Sequence, residues 1–586
     1  MDDKTISSTA MNPKATIARL WGYLKKYKWR LWLITLMVIA STIASVLAPL
    51  IMSFAIDDFI GKGNLNGLLW VLLILGMIYV LHSVFTWVMN VVMVTVSEGS
   101  LYHLRKDLFE HLQSLSLSFF DQNKKGDLMS RFTNDISIIS DALSDAVTQI
   151  ISSVITLIGV TLIMFIMNPI LAITTIITVP FFFILVAYIG KKSGEFYERQ
   201  QKTVGDVSSY AEEMMSGMKV IKSYGKEEDA TQKFEMKNQQ LRDTSIKAEV
   251  YANLVMPINL AITNLGQVLL IGVGAYLVLN GGTTIGGILA FLTYSSMFRR
   301  PINQLASLYA SIQGALAGAE RIFEIIDTPV EIIDDPQARE FHDIKGNVTF
   351  DHVTFSYVKG KPILKDINLS VKAGENMAIV GPTGAGKTTF INLLSRFYEI
   401  DKGKILIDDV DITTVKKSDL RKKIGIVLQD TYLFKGTVKE NIKYGNRTAT
   451  DEEIIAASKK AQAHSFIHRL PNGYDSLVEE EGSNFSQGQR QLISIARAIL
   501  ADPEILILDE ATSNVDTRTE VAIQDGMKEL MKGRTSFVIA HRLSTIRESD
   551  CILVMNQGEI IESGTHEELI KQKGFYYQLY MSQFEQ

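Results

Sequence analysis

Asn376-Met377-Ala378-Ile379-Val380 runs straight into Gly381-Pro382-Thr383-Gly384-Ala385-Gly386-Lys387-Thr388-Thr389, a short apolar strand followed by G-x-x-x-x-G-K-T. The residue types in this stretch fit one task. Glycines let the backbone curl until successive N–H groups point at a single anion, and the helix opening at Lys387 adds the partial positive charge of its N-terminus. Lys387 can then reach the outer phosphates of a nucleotide, and the Thr388 hydroxyl can ligate magnesium. The whole run from Gly381 to Thr389 (Gly381, Pro382, Thr383, Gly384, Ala385, Gly386, Lys387, Thr388, Thr389) therefore reads as a phosphate cradle in an α/β domain. Downstream, Ile505-Leu506-Ile507-Leu508-Asp509-Glu510 is an apolar strand ending in two carboxylates. Asp509 suits the magnesium shell, and Glu510 suits polarising the water that attacks the outer phosphate.

Working outward from this soluble domain, the chain before residue 300 has a different composition. Residues 31–56, 63–97, 146–190 and 250–298 carry no charged side chain. Each is at least as long as the roughly 20 residues that cross a bilayer as helix. The last two are too long for one crossing and are interrupted at Asn168-Pro169 and at Asn280-Gly281-Gly282, so each reads as a hairpin of two spans. Six membrane spans result. Basic residues mark the cytoplasmic loops of membrane proteins. Here Lys25, Lys26, Lys28 and Arg30 precede the first span, Arg105, Lys106, Lys124, Lys125 and Arg131 follow the second, Lys191, Lys192 and Arg199 the fourth, and Arg299 and Arg300 the sixth. The opposite loops hold only Lys62. The expected topology is multi-pass, with both termini and the soluble domain cytoplasmic.

Two long polar excursions, 98–145 and 191–249, read as helical extensions beyond the lipid, interrupted near Phe119-Phe120-Asp121 to Asp127 and at Ser216-Gly217. Within the spans the polar exceptions are neutral: His82, Asn90, Gln149, Asn253, Asn259, Asn264 and Gln267. No mid-membrane charge points to a proton relay. The aromatic residues Phe85, Trp87, Phe181, Phe182, Phe183 and Phe291 are candidates for contact with an amphipathic cargo. Of 586 residues, 59 are Lys or Arg and 64 Asp or Glu, a net charge of −5 without the basic excess that binding nucleic acid requires. The single cysteine, Cys551, excludes an internal disulfide and reads as a buried strand thiol.

Ser486-Gln487-Gly488-Gln489 before Arg490-Gln491, Leu508-Asp509-Glu510 soon after, and then Ala540-His541-Arg542 give a set that resembles the nucleotide-binding domain of ATP-binding-cassette (ABC) transporters. With six spans ahead of it, the chain is similar to the half-transporter exporters of that superfamily along nearly all of its length. The resemblance implies a membrane domain over 1–325 with two coupling loops, a linker over 326–345 and a nucleotide-binding domain over 346–586. It implies ATP and Mg2+ as ligands and ATP hydrolysis coupled to export. By the same resemblance Tyr357 stacks on adenine, Gln429 touches magnesium beside Thr388 and Asp509, and His541 contacts the outer phosphate as a catalytic partner of Glu510. Asp516 communicates across a dimer, and Ser486, Gln487, Gly488 and Gln489 meet the ATP of a partner subunit.

The usual signature of the family reads L-S-G-G-Q, whereas this chain has Phe485-Ser486-Gln487-Gly488-Gln489, preceded by Glu479-Glu480-Glu481-Gly482 in place of the commoner G-E-R-G. Gln487 puts a side chain where bare backbone approaches phosphate. Since Glu510 and His541 are intact, the resemblance is to the hydrolysis-competent half of heterodimeric multidrug exporters of Gram-positive bacteria. The expected partners are a second, different half-transporter, the lipid bilayer and a small amphipathic substrate. A lipid flippase, a peptide exporter or a homodimer are the alternatives.

Overall fold

The computed structural model describes residues 12–331, 334–429, 431–510, 516–540 and 543–584, with the backbone alone at Glu510 and at a few helical positions. The chain divides into two compact units. One comprises Met1–Gln113 and Lys125–Thr328, the other Ser114–Lys124 and Pro329–Gln586.

The first unit is helical: α1 (Pro13–Lys25), α2 (Lys28–Phe54, continued by a π-helical turn Ala55–Ile60), α3 (Leu65–Ser114), then, after α4 (Leu117–Gln122) of the other unit, α5 (Lys125–Ser130) and a π-helical turn Arg131–Asp135. There follow α6 (Ile136–Met167), α7 (Pro169–Ile176), α8 (Thr178–Ser216), α9 (Met218–Ser223), α10 (Glu227–Asn253), α11 (Val255–Leu279) and α12 (Ile285–Ile326). Four helical stretches among the described residues are long and apolar enough to cross a membrane by length and composition: Lys28–Ile60, Leu65–Ser114, Lys125–Met167 and Glu227–Leu279. The expected fourth and sixth spans fall on α7–α8 and α12.

The hairpin breaks have local causes. Asn168 leaves helical geometry and caps α7, its Oδ1 accepting from the N–H groups of Ile170 (3.0 Å) and Leu171 (3.1 Å), with Pro169 at the first helical position where no N–H is needed. Its Nδ2 donates to the Gly282 carbonyl (3.0 Å), tying one hairpin turn to the other. At the start of α12, Thr284 caps Gly287 (3.0 Å), and Asp57 accepts from the Gly286 N–H (2.8 Å), a carboxylate set against the positive end of the helix. Only glycine fits at 286, because a Cβ there would lie 2.4 Å from the Ser53 carbonyl oxygen. Farther along, Asp135 is buried (5% exposed) and takes a two-point ion pair from Arg321 of α12, Nε to Oδ2 at 2.9 Å and Nη2 to Oδ1 at 2.5 Å. Phe291 is fully buried in the packing of α2, α6, α7, α11 and α12, Trp87 is exposed, and the side chains of Phe181, Phe182, Phe183 and Asn259 lie outside the described residues.

The second unit has strands β1 (Val348–Phe355), β2 (Leu364–Val371), β3 (Asn376–Val380), β4 (Lys402–Ile407), β5 (Val410–Asp411), β6 (Ile424–Val427), β7 (Gly436–Thr437), β8 (Leu477–Val478), β9 (Ile505–Glu510), β10 (Thr535–Ala540), β11 (Cys551–Asn556) and β12 (Glu559–Gly564). Its principal helices are α13 (Lys387–Leu394), α14 (Lys417–Lys422), α15 (Val438–Lys443), α16 (Asp451–Lys460), α17 (His464–Ile467), α18 (Gln487–Ala501) and α19 (Thr517–Met531). The main sheet has the order β12-β11-β3-β10-β9-β6, parallel from β11 to β6, beside an antiparallel sheet β2-β1-β4-β5. The central strands read as unbroken apolar runs because both faces are covered. Ile505 and Ile507 of β9 face one core with Ile379, Phe537 and Leu553, while Leu506 and Leu508 face the other with Val380, Val538 and Val554. Cys551 at the head of β11 is only partly buried, a correction to the sequence reading, because its position at the strand start leaves it at the rim of that core.

Within this unit Glu331 and Asp334, which follow α12, are both held by side chains and backbone of α14. Glu331 pairs with Arg421 (2.6 Å) and Lys417 (3.6 Å), and Asp334 accepts from the Lys417 N–H (3.0 Å). Burial pushes the Glu331 carboxyl up, but the bonds from Arg421 and Lys417 outweigh it and hold the group below the usual carboxylate range.

Candidate functional site

The loop Gly381–Gly386 follows the carboxyl end of β3 and leads into α13. Gly386 is left-handed (φ +103°) at the cap position, and a Cβ there would sit 2.7 Å from Leu364 Cδ2. A glycine is therefore demanded twice, by conformation and by space. Lys387 Nζ donates to the Gly381 carbonyl (2.7 Å) and the Pro382 carbonyl (3.1 Å), so the loop wraps its own ammonium. Burial pushes the Lys387 ammonium down, and the Asp509 carboxylate opposes that shift. Thr388 follows exposed at the mouth of the loop, and Thr389 is buried.

Parallel pairing brings the remaining motifs to the same edge. In the register Ile539 lies opposite Ile379 on one side and Asp509 on the other, with Ala540 opposite Glu510 and Val427 opposite Leu508. The loop after β3, the Asp509-Glu510 end of β9, the Ala540 end of β10 and the Gln429 segment after β6 all lie at the carboxyl end of the sheet, where open parallel sheets bind ligands. Gln429 is exposed. The side chain of Glu510 and all of His541 lie outside the described residues.

Ser486 and Asp516 sit at helix starts, and both make caps. Ser486 Oγ accepts from the Gln489 N–H (3.3 Å) while Gln489 Oε1 accepts from the Ser486 N–H (3.0 Å), a reciprocal box opening α18. Gln487 occupies the first helical position and Gly488 is buried. Asp516 Oδ2 accepts from the Thr519 N–H (3.0 Å), and hydrogen bonding from the Thr519 side chain, then from this N–H, holds its carboxyl below the usual range. Among the described residues no hydrogen bond joins Ser486–Gln489 to the loop 381–389.

Tyr357 is half-exposed, with its hydroxyl 3.2 Å from Thr389 Oγ1 on α13. Its ring meets Tyr398 edge-on at 5.0 Å, and the Tyr398 hydroxyl donates to Asp121 of α4. Burial, and then that bond, push the Tyr398 phenol up. A continuous path thus runs from the phosphate loop helix to α4 inside one unit. The sequence reading singled out Phe119-Phe120-Asp121 as an interruption and, by the family resemblance, as part of a coupling loop, but missed Tyr398 altogether, since no local pattern marks a tyrosine paired with a residue so distant in the chain.

A helical membrane unit joined to a phosphate-loop unit defines a transporter ATPase, and comparison with known proteins agrees. Residues 31–302 match the ABC transporter transmembrane region and residues 364–513 match the ABC transporter domain. The chain belongs to the ABC transporter family, with membrane and ATPase parts on one polypeptide as in the exporters. It is 46% identical over 576 residues to an uncharacterized ABC transporter ATP-binding protein, YfiC, of Bacillus subtilis, covering 98% of this chain and 95% of the relative. It is 40% identical over 550 residues to an ATP-dependent lipid A-core flippase of Syntrophus aciditrophicus, covering 94% and 91%. Among solved structures a bacterial Atm1-family ABC exporter with ATP bound superposes with a TM-score of 0.75 at 33% identity, over 96% of this chain and 98% of that one. The protein is thus an integral membrane ABC exporter that binds ATP and couples its hydrolysis to transport, acting, as such exporters do, as a dimer.

Proposed function

We propose that this chain is the hydrolysing half of an asymmetric pair of half-transporters in a bacterial plasma membrane, exporting amphipathic compounds. The observation that best supports its hydrolysing role is the arrival of the phosphate loop, the Asp509-Glu510 strand end and the Gln429 segment at one edge of the parallel sheet. In this reading the domain limits are 1–325, 326–345 and 346–586. Both termini and the nucleotide-binding domain lie in the cytoplasm, where the basic loops belong.

At the ATP site Tyr357 stacks on adenine and the N–H groups of 381–389 cradle the phosphates. Lys387 leaves its two neutral carbonyl partners for anionic phosphate oxygens, a stronger charge-assisted bond that restores its full ammonium character. Thr388, Asp509 and Gln429 are the side chains that would hold Mg2+. One carboxylate, a hydroxyl and an amide, completed by water and phosphate oxygens, suit a small hard cation, and the ion would supply neutralisation of phosphate charge. Glu510 polarises the attacking water, His541 contacts the outer phosphate, and Asp516 answers to the partner domain. Ser486–Gln489 has no bond to its own phosphate loop and is available to the partner's ATP. There the Gln487 side chain, at the first position of α18, stands between backbone and phosphate and slows turnover at that second site. ATP favours the closed pair over the open one, and that difference in affinity drives the membrane helices between inward- and outward-facing states.

The cargo is an amphipath of multidrug type. A second reading, a lipid flippase, is favoured by the 40% identity to a lipid A-core flippase. ATPase assays on this chain alone in lipid nanodiscs, and on material co-purified with a native partner chain, test the pairing. Turnover that appears only with the second chain is expected. Full magnesium-dependent turnover by the chain alone would show a homodimer instead. Glu510→Gln should keep ATP binding and lose most turnover, and undiminished turnover would remove Glu510 from its role.

A further inference from the structure

Helices α2, α3, α6 and α12 enclose a cavity of about 490 Å³ within the membrane unit, in the size range of ligand pockets. Its walls are polar in a region where the helices are otherwise apolar. On α3, His82, Thr86 and Asn90 follow one another at four-residue steps. On α6, Gln149, Ser153 and Thr156 do so at steps of four and three, so each helix turns one polar stripe to the same space. Among the described residues that line it, Asp145 and Arg300 are the charged ones.

Some of these groups satisfy one another. Ser41 Oγ lies 2.8 Å from His82 Nδ1 and 3.1 Å from Thr86 Oγ1, and His82 Nδ1 is also 3.0 Å from the Ser41 carbonyl. A ring that donates from Nδ1 to this carbonyl keeps Nε2 as an acceptor in its neutral form. Ser153 is different. It is 2% exposed, and its Oγ has no hydrogen-bond partner among the described residues. The usual resting place of a hydroxyl in such a helix is the carbonyl four residues back. Thr148 donates to Ser144 (3.3 Å) and Thr161 to Leu157 (2.6 Å) on the same helix, and Ser153 makes no such bond. An unpaired hydroxyl in a membrane interior is costly enough that it marks a place for a polar ligand atom.

We infer that this cavity is a subsite for the uncharged, hydrogen-bonding head of an exported amphipath, a hydroxyl- or amide-bearing group, with Ser153 as its anchor. The inference rests on the reading of the cargo as amphipathic and narrows it. Hydroxyl, amide and imidazole groups dominate the lining, and they match a head that offers donors and acceptors without net charge. A phosphate would meet Arg300 but also Asp145.

The test uses the active exporter in proteoliposomes, with two tail-labelled lipids of identical chains, a monoglycosyl diacylglycerol and phosphatidylglycerol. ATP-driven movement of each lipid between leaflets and the half-maximal lipid concentration for ATPase stimulation are measured. Ser153→Ala should raise the half-maximal glycolipid concentration about fivefold, the scale of one hydrogen bond between uncharged groups. Gln149→Ala, one turn away on the same stripe, should act in the same direction. Thr161→Val, whose hydroxyl is already spent on its own helix, should not. An unchanged glycolipid response in both cavity variants while transport continues overturns the subsite and leaves the exporter reading standing. A preference for phosphatidylglycerol that Ser153→Ala does not alter overturns the uncharged-head assignment. If the unmodified exporter moves neither lipid, the amphipathic cargo falls and the subsite with it.

Discussion

Replacing Asp135 by Asn keeps the shape of the side chain and removes the charge that Arg321 grips at two points. Losing one partner of a buried pair costs about 3–5 kcal/mol, because the other charge stays behind unpaired. Asp135 is 7% exposed at its side chain, but Arg321 is 29% exposed, so water can recover part of the guanidinium's solvation. The expected loss is nearer to about 2 kcal/mol, which at about 2–4 °C per kcal/mol lowers the melting point of this unit by about 4–8 °C. All five tryptophans, Trp21, Trp29, Trp32, Trp70 and Trp87, belong to the membrane unit, so intrinsic fluorescence during heating follows that unit by itself. Adding Arg321→Gln to Asp135→Asn should recover a good part of the loss, since the double variant leaves no orphaned charge. A single variant that melts with the wild type, or a double variant whose loss equals the sum of the two singles, would refute the reasoning.

Gly386→Ala forces an L side chain into φ +103° against Leu364, at a conformational penalty of about 1–2 kcal/mol before the clash is counted, and ATP binding measured by calorimetry should be lost. Tyr398→Phe removes the hydroxyl that reaches Asp121, so cargo stimulation of ATPase activity should fall while nucleotide affinity, set at Tyr357 and the phosphate loop, changes little. An equal fall in basal and stimulated rates would speak against the path. For Glu331 the folded carboxyl is depressed, so its contribution is present above its unfolded value near 4.3 and is lost as pH falls through the lower folded value. Hydrogen-exchange protection of the backbone at 329–331 and 334–337, after correction for the intrinsic pH dependence of exchange, should fall in the wild type only on acidification into that range, and in Glu331→Gln already at neutral pH.

Much of this was legible because the signals were local. Charge-free runs mark helices in lipid, and Asn168-Pro169 marks a helix start through the capping amide and the missing N–H. The phosphate loop needs its glycines at fixed spacing. The unbroken apolar run Ile505–Leu508 announces a strand buried on both faces. What escaped was set by side chains meeting across long separations. Nothing near Asp135 names Arg321, nothing near Tyr398 names Asp121, and Asp57 looks like a loop carboxylate until α12 is seen starting beneath it. Gln487 was legible as a departure, but its position at the first turn of a capped helix emerged only from the Ser486–Gln489 box. The neutral polar residues of the spans were visible one by one, and only packing reveals that His82, Asn90 and Gln149 line one chamber.

The eleven residues Ser114–Lys124 belong to the ATPase unit although they lie between two parts of the membrane unit. During synthesis they leave the ribosome before any of their partners exist. Tyr398 and the strands around it are made hundreds of residues later, which at about 5–20 residues per second is a delay on the order of tens of seconds. Through that interval Phe119, Phe120 and Asp121 have no docking surface, while the spans on both sides are already being inserted. A late ATPase unit that folds correctly can still find this short helix mispacked, so assembly yield should depend on translation speed between residues 124 and 398. Slowing that stretch with rare codons should lengthen the exposure of α4 and raise its capture by chaperones, an effect that no amino-acid substitution in either unit would reveal.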